Sequence, residues 1–151
     1  MVVLAAVGEK RNPSRIIETA HELATAFDDE LKVLHVLPEE EAEEHYNSIR
    51  SIDQFSDVSF TTEITRAEDI ADEFIDVVLE DSASGDISAI GRVGDPTRQI
   101  LSTADSINPR YVVIGGKKRT PTGKALFGSV TQSVILNSEW PVVTVMSGSD
   151  D

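Results

Sequence analysis

The sequence predicts an α/β protein with an open, five-stranded parallel sheet and helices on both faces. Two observations carry this prediction. Short apolar runs alternate with segments of helical periodicity along the chain, which is the pattern of βαβ units. The runs are also continuously apolar rather than alternating, which is typical of strands covered on both sides. With right-handed crossovers, we expect the strand order 3-2-1-4-5.

The predicted strands are the five apolar runs. They are Val2–Val7, Leu31–Leu37, Ile87–Ile90, Tyr111–Ile114 and Val142–Met146. The segment from Pro38 to about Thr62 breaks the alternation and begins with the acidic run Glu39–Glu44. We expect a partly helical excursion over the sheet there, with a solvated acidic surface rather than a cation site.

Two of the predicted helices lie in the first half of the chain. The first has Asn12 as its N-cap and Pro13 at its first position, and the second opens on a capping box from Thr65 to Glu68. Their apolar positions recur at helical spacing. We expect these to be buried: Ile16, Ile17, Ala20, Leu23, Ala24 and Phe27 in the first helix, and Ile70, Phe74, Val77 and Val78 in the second.

The other two predicted helices lie in the second half. One starts at Asp95-Pro96, buries Ile100, Leu101 and Ala104, and stops at Asn108-Pro109. The last runs from about Gly128 through Val130, Val134 and Ile135 to Asn137. Strand and helix therefore alternate from end to end of the predicted fold.

Length and composition indicate one domain. A chain of 151 residues suits a single core, which we place at residues 1–147, with 148–151 as a short flexible tail. The absence of cysteine excludes disulfides and thiolate metal sites, and His21, His35 and His45 are too scattered for a metal cluster. No apolar run has the length of a signal peptide or membrane span. We therefore expect a cytoplasmic protein without a membrane partner.

The charge balance is strongly acidic. Asp and Glu number 27 against 13 Lys and Arg, for a formal net charge of -14. This excess disfavours binding to nucleic acid or anionic membranes. Because only five of the bases are lysines, we interpret the composition as halophilic, typical of a high-salt cytoplasm. Solubility alone is the alternative explanation.

One segment contradicts this acidity. From Ser106 to Ser138 there is no Asp or Glu, while five bases fall there: Arg110, Lys117, Lys118, Arg119 and Lys124. In an open α/β sheet, ligands bind outside the carboxyl ends of the strands where the strand order reverses. The first and fourth strands end beside that point, and Gly128-Ser129 opens the next helix, whose free N–H groups favour an anion. The alternative is a glycine turn and a solvated basic loop.

The spacing within this segment is not that of a P-loop, because six residues separate Gly116 from Gly123 and Ala125 follows Lys124. It resembles instead the G-x2-G-x9-G-[ST] motif of ATP-binding universal stress proteins. Gly115, position 118 and Gly128-Ser129 match that spacing. Four further stretches resemble the same family: Val3–Val7, Leu34–Val36, Val93–Pro96 and Trp140–Val143. The resemblance covers essentially the whole chain and implies a Rossmann-like fold.

The resemblance also implies a ligand and its contacts. Adenine would lie against Val36 and the end of the first strand at Ala6, Val7 and Gly8. Ribose and phosphates of ATP, or of ADP or AMP, would be held by Gly115, Gly116, the following loop with Lys118, and Gly128, Ser129, Val130 and Thr131. Magnesium would arrive on the phosphates rather than through protein ligands. The chain departs from the family at Gly8, where Asp is usual, and at Lys118, where the motif has glycine.

The resemblance implies a nucleotide-binding sensor or regulator of the stress response. We do not expect a fast enzyme, because Ser129 has no His or Asp partner nearby in the sequence. Slow ATP hydrolysis stays open, as does a dimeric scaffold with a vestigial pocket. We interpret His35 as a core or pocket-wall residue and Trp140 as a packing residue. The family pairs its last strand with a twofold mate, so we expect a homodimer through Val142–Met146, the alternative being a monomer whose tail covers that edge.

Overall fold

The computed structural model describes residues 1–8, 13–38, 60–79, 86–117 and 128–147. These residues form alternating strands and helices: β1 (Val2–Val7), α1 (Pro13–Phe27), β2 (Glu30–Leu37), α2 (Phe60–Val78), β3 (Ile87–Val93), α3 (Pro96–Ile107), β4 (Tyr111–Lys117), α4 (Ser129–Asn137) and β5 (Val142–Ser147). The strands pair in parallel in the order β3-β2-β1-β4-β5. The predicted fold class and strand order are confirmed.

Apolar side chains cover both faces of the sheet, which explains why the strands are continuously apolar. Successive residues of a strand point to opposite faces. On one face, Val3, Ala5, Val33 and Val113 pack against α1 and α2. On the other face, the intervening residues, among them Leu4, Leu34 and Val112, pack against α3 and α4.

The limits of α3 agree with those predicted. The Asp95 carboxylate accepts a hydrogen bond from the Arg98 backbone N–H at 3.0 Å, and Pro96 stands at the start of the helix. The helix ends at Asn108, which has a left-handed backbone with φ 48°. Helix α4 likewise begins directly after Gly128. The predicted N-cap Asn12 and the Pro38–Thr62 excursion between residues 39 and 59 lie outside the described residues.

The predicted capping box of α2 is wrong. The helix already includes Phe60, so Thr65 lies inside it. Glu63 is buried one helical turn before Ala67, so the turn that precedes the predicted start already packs against the rest of the protein. A buried carboxylate gives no apolar signal, and the sequence pattern therefore placed the start too late.

Two predicted core residues are exposed. Val77 is 75% exposed because the inward stripe of α2 runs through Phe74 and Val78, and each helical position is turned by about 100° from the next. Phe27 is 43% exposed at the end of α1, where the Arg110 guanidinium lies 4.4 Å from its ring centroid.

Three strands extend beyond the carboxyl ends of their apolar runs. β3 continues to Val93 and β5 to Ser147. β4 continues through Gly115 and Gly116, whose register partners on β5 are Val145 and Met146. The two glycines thus belong to a strand and are not a turn. No helix in the described ranges is long and apolar enough to cross a membrane.

Candidate functional site

A cavity of about 320 Å³ opens at the carboxyl ends of β1, β2 and β4, between the sheet and the first turns of α3 and α4. Here the chain order reverses, since β2 lies on one side of β1 and β4 on the other. This is the point where ligands bind in doubly wound sheets. The cavity brings together Ala6, Val7, Gly8, Val36, Gly115, Ser129, Val130 and Thr131, all of which were predicted as site residues.

The other three predicted site residues are placed differently. Gly128 caps α4 directly before the lining residue Ser129. Gly116 is buried. A Cβ there would meet Met146 Sδ at 2.5 Å and Thr144 Cγ2 at 2.7 Å, so a side chain at this position would point towards β5 rather than into the cavity. Lys118 lies outside the described residues.

One part of the cavity is apolar. Ala6, Leu34 and Ile114 project from neighbouring strands on the face that packs against α3 and α4, and Val36 lies beyond Leu34 on the same strand. Ile100 of α3 closes this region from the helix side. A flat aromatic ring fits such a wall because it buries both faces without leaving polar groups unpaired.

The opposite part is the start of α4. Gly128 has φ 82° and ψ 159°, a combination essentially restricted to glycine. No side chain in the described ranges caps this helix. The first backbone hydrogen bond of the helix joins the Gln132 N–H to the Gly128 carbonyl at 3.0 Å. The N–H groups of the three preceding residues have no partner within the helix and give the cavity a positive end.

Thr131 joins the start of α4 to the end of β4 by a hydrogen bond. Its Oγ1 donates a hydrogen bond to the Gly115 carbonyl at 2.6 Å, and the side chain is buried. The hydroxyl proton is therefore engaged within the protein. The bond fixes the end of β4 against the first turn of α4, and the Thr131 backbone N–H is the donor of this residue that has no partner within the helix.

His35 forms part of the cavity wall, as its apolar strand predicted. The ring is buried, and its Nδ1 lies 3.0 Å from the Val7 carbonyl oxygen. It packs edge-to-face against the Phe74 ring, with the ring centroids 6.2 Å apart. Because a carbonyl only accepts hydrogen bonds, Nδ1 carries the proton in this contact. His35 thereby holds the last residue of β1 in place beside Gly8.

Gly8 leaves space at the rim of the cavity. A Cβ built at this position meets no atom of the described residues within 4 Å. Gly8 carries no side chain, and none of the described residues fills the space that a Cβ would occupy.

Two bases of the acid-free segment lie at opposite ends of β4, Arg110 directly before the strand and Lys117 at its last position. Arg110 lies before β4, at the amino edge of the sheet, opposite the cavity. Its Nε donates to the Asp29 carboxylate at 2.7 Å, and this bond lowers the pKa of Asp29 below its ordinary value of 3.8. Arg110 is therefore a structural ion-pair residue. Lys118, Arg119 and Lys124 lie outside the described residues.

Several lining residues were not predicted as site residues. They are Ile16, Leu34, His35, Pro38, Pro96, Ile100, Ile114 and Val134. Most were assigned to the hydrophobic core, and periodicity does not distinguish a core wall from a cavity wall. Pro96 gave a usable signal, because a helix start directly after a parallel strand lies at the carboxyl edge of the sheet.

The topology and the cavity define a doubly wound parallel α/β protein with a cavity at its switch point. The model of the Universal stress protein family matches residues 1–146. The chain belongs to the universal stress protein family.

Two relatives match over shorter stretches. A universal stress protein of Mycolicibacterium smegmatis is 41% identical over 51 residues, or 34% of this chain and 39% of the relative. The stress response protein NhaX of Bacillus subtilis is 31% identical over 80 residues, or 53% of this chain and 47% of the relative. The chain thus spans less than half the length of each of these relatives.

Solved structures match nearly the whole fold. A universal stress protein from Archaeoglobus fulgidus is 28% identical with a TM-score of 0.65, covering 95% of this chain and 97% of the other. One from the same organism in complex with dAMP has 22% identity and a TM-score of 0.58, covering 95% and 96%. One in complex with cAMP has 17% identity and a TM-score of 0.61, covering 96% and 95%. At these last two identities the likeness shows a common fold.

Proposed function

We propose that this universal stress protein binds an adenine nucleotide, with ATP as the first candidate, and acts as a sensor or regulator of the stress response. The observation that carries the proposal is one cavity with two chemically different parts. An apolar wall at Val36 and Ala6 leads to the start of α4 at Ser129, which no described side chain caps. A nucleotide has the same order of groups, an apolar ring followed by an anionic chain.

Energetics are consistent with this assignment. Charge-assisted hydrogen bonds to phosphate oxygens contribute about 1.5–3 kcal/mol each. Three or four of them, after the cost of ordering ligand and loop, give affinities of micromolar order. Magnesium would accompany the phosphates, and no group of His, Asp or Glu in the described ranges is arranged to hold a metal ion. The dAMP and cAMP complexes of the structural relatives are consistent with an adenine ligand.

A regulatory role is favoured over rapid turnover. Within the described part of the cavity lining, His35 is the one ionisable side chain, and its ring packs edge-to-face against Phe74 of α2, on the sheet face opposite α4. A general base for activating water would have to lie within hydrogen-bond reach of the reacting phosphate. A steady phosphate release that vanishes in Ser129→Ala would contradict the non-enzymatic assignment.

The decisive measurement is isothermal titration calorimetry with ATP, ADP and AMP in high salt. We expect micromolar binding of ATP and weaker binding of AMP, because fewer phosphate oxygens reach the start of α4. Absence of binding below millimolar concentration for all three nucleotides would contradict the proposal.

A dimeric scaffold with a vestigial pocket is the second candidate, and the observation that favours it is Gly8. The position lines the cavity without a side chain, so a polar ligand contact is missing. Extraction of the purified protein with heat distinguishes the two candidates cheaply. Nucleotide in the extract supports the first, while an empty extract together with negative calorimetry supports the scaffold.

The proposed assembly is a homodimer in which β5 pairs with its twofold mate. β5 is an edge strand of the sheet, and an unpaired edge is a template for a further strand. The pairing would run through Val142–Met146, where Arg15 Nη1 donates to the Met146 carbonyl at 3.1 Å in the single chain. Sedimentation equilibrium should give twice the mass of the chain, and a monomer at all concentrations would exclude this assembly.

A further inference from the structure

Arg92 projects from β3 on the cavity side of the sheet. The preceding residue, Gly91, faces α2, because a Cβ there would lie 2.8 Å from Glu68 Cα and also against the Ile64 carbonyl oxygen. Successive strand residues point to opposite faces. The Arg92 side chain therefore starts on the face that carries α3.

On that face Arg92 is the direct neighbour of the apolar cavity wall. Its register partner on β2 is Val36, which lines the cavity. Partner strands lie about 4.8 Å apart, so Arg92 continues the row of side chains across the sheet by one position. A ring lying against Val36 would present its edge to Arg92.

Among the described residues, the Arg92 guanidinium has one hydrogen-bond acceptor. Arg92 is half-buried, and its Nη1 donates to the Gly91 carbonyl at 2.8 Å. A guanidinium has five N–H donors. The ion pairs of Arg66 with Glu63 and of Arg110 with Asp29 show that other arginines of this acidic chain have carboxylate partners. In the described ranges no carboxylate lies within ion-pair distance of Arg92.

We propose that Arg92 is a base-specificity residue that donates hydrogen bonds to the edge of the bound base and extends the ligands of this site to 6-oxopurine nucleotides. Arginine only donates. A 6-oxopurine such as guanine or hypoxanthine presents two adjacent acceptors, O6 and N7, that match the guanidinium fork, whereas adenine presents N7 beside a donating amino group. The inference rests on the nucleotide-binding function proposed above.

The test compares ATP, GTP and ITP by calorimetry on the wild-type chain and on Arg92→Met. We expect the wild type to bind GTP and ITP with micromolar affinity, as it binds ATP. Loss of charge-assisted hydrogen bonds in Arg92→Met should weaken GTP and ITP about tenfold and ATP much less. The ATP-to-AMP affinity ratio should be unchanged, because the start of α4 sets it.

Lys32→Met is the matched control. Lys32 lies on the same face of β2, with its Nζ donating to Ser88 Oγ at 3.2 Å, four residues and about 13 Å before Val36. The substitution removes the same charge away from Val36 and from the start of α4, and it should leave all three affinities unchanged. If Arg92→Met does not fold by circular dichroism, Arg92→Lys replaces it, since lysine keeps the charge but lacks the fork, and the same loss of 6-oxopurine preference is expected.

The outcomes separate the two proposals. No binding of any of the three nucleotides overturns both the nucleotide-binding function and the role of Arg92. Binding with the same base preference in wild type and Arg92 variants overturns only the role of Arg92. A tenfold loss confined to GTP and ITP supports it.

Discussion

At the scale of single residues, the same residue type has different roles at the two edges of the sheet. Arg110 is the first base of the acid-free segment, yet it pairs with the buried Asp29 at the amino edge and covers the Phe27 ring. Arg92 lies at the carboxyl edge with no described carboxylate partner. The sequence analysis counted Arg110 among the bases of the predicted anion site, because it is close in sequence to Gly115. Closeness in sequence does not show that Arg110 lies at the opposite end of the strand.

The Asp29–Arg110 pair predicts a stability change in acid. The hydrogen bond from Arg110 lowers the pKa of Asp29 in the folded chain, so the stabilisation is present above the unfolded-state pKa of about 3.9. It is lost as the pH falls through the lower folded pKa. Asp29→Asn should therefore be less stable than wild type at pH 7, with a difference that narrows towards pH 2, as measured by urea unfolding across this range.

Asp28→Asn is the control for this prediction. Asp28 is the exposed neighbour with a left-handed φ of 55°, which asparagine adopts readily. It removes the same charge without breaking the buried pair and should leave the stability at pH 7 nearly unchanged. If the free energies of unfolding of wild type and Asp29→Asn depend on pH in the same way, the stabilising role assigned to the Asp29–Arg110 pair is contradicted.

At the scale of elements, the sequence predicted what depends on local pattern. The five strands and α3, with its Asp95 cap and Asn108 end, follow from apolar runs and capping residues. The start of α2 was not predictable because the buried face there includes Glu63. The ends of β3 and β4 were not predictable because backbone pairing with a neighbouring strand continues beyond the apolar side chains.

The site divides in the same way. Residues at strand ends and at the start of α4 could be predicted, because parallel strands bring their carboxyl ends to one edge. The residues that form the side walls of the cavity could not be predicted. Ile16, Ile100 and Val134 reach the cavity from helices, and whether an inward-facing helix residue touches a neighbour or an opening depends on packing that periodicity does not encode.

The start of α4 yields a prediction for Gly128. Its φ of 82° with ψ of 159° strains any residue with a Cβ, at a cost of about 1–3 kcal/mol. Relief of that strain would turn the first N–H groups of α4 away from the cavity. We expect Gly128→Val to lose ATP binding below millimolar concentration while the helical circular dichroism signal persists.

Gly8→Ala is the comparison for Gly128→Val. Gly8 also lines the cavity, but a Cβ there meets no described atom within 4 Å. We expect near-wild-type affinity for ATP and little change in the free energy of unfolding. Equal loss of binding in both variants would mean that any added bulk at the rim blocks the ligand, which would contradict the specific role given to the α4 start.

At the scale of the whole molecule, the net charge of -14 sets the conditions in which the fold and site operate. Repulsion among exposed carboxylates opposes the compact state. The Debye length falls from about 10 Å at 0.1 M salt to about 3 Å at 1 M, so salt removes most of this repulsion. Contact pairs such as Asp29–Arg110, at 2.7 Å, lie within the shorter length and are retained.

The unfolding temperature should therefore rise as potassium chloride increases from 0.1 to 1 M. For a domain of this size, each kcal/mol of relieved repulsion raises Tm by about 2–4 °C. Circular dichroism melts give the measurement, and a non-electrolyte at equal osmolality is the control for preferential exclusion. An equal rise with the non-electrolyte, or no rise with salt, would contradict charge repulsion as the cause and with it the halophilic interpretation.

Nucleotide binding should also persist at 1 M potassium chloride, because the proposed hydrogen bonds at the start of α4 act at contact distance. Calorimetry with ATP at 0.1 and 1 M salt gives the measurement.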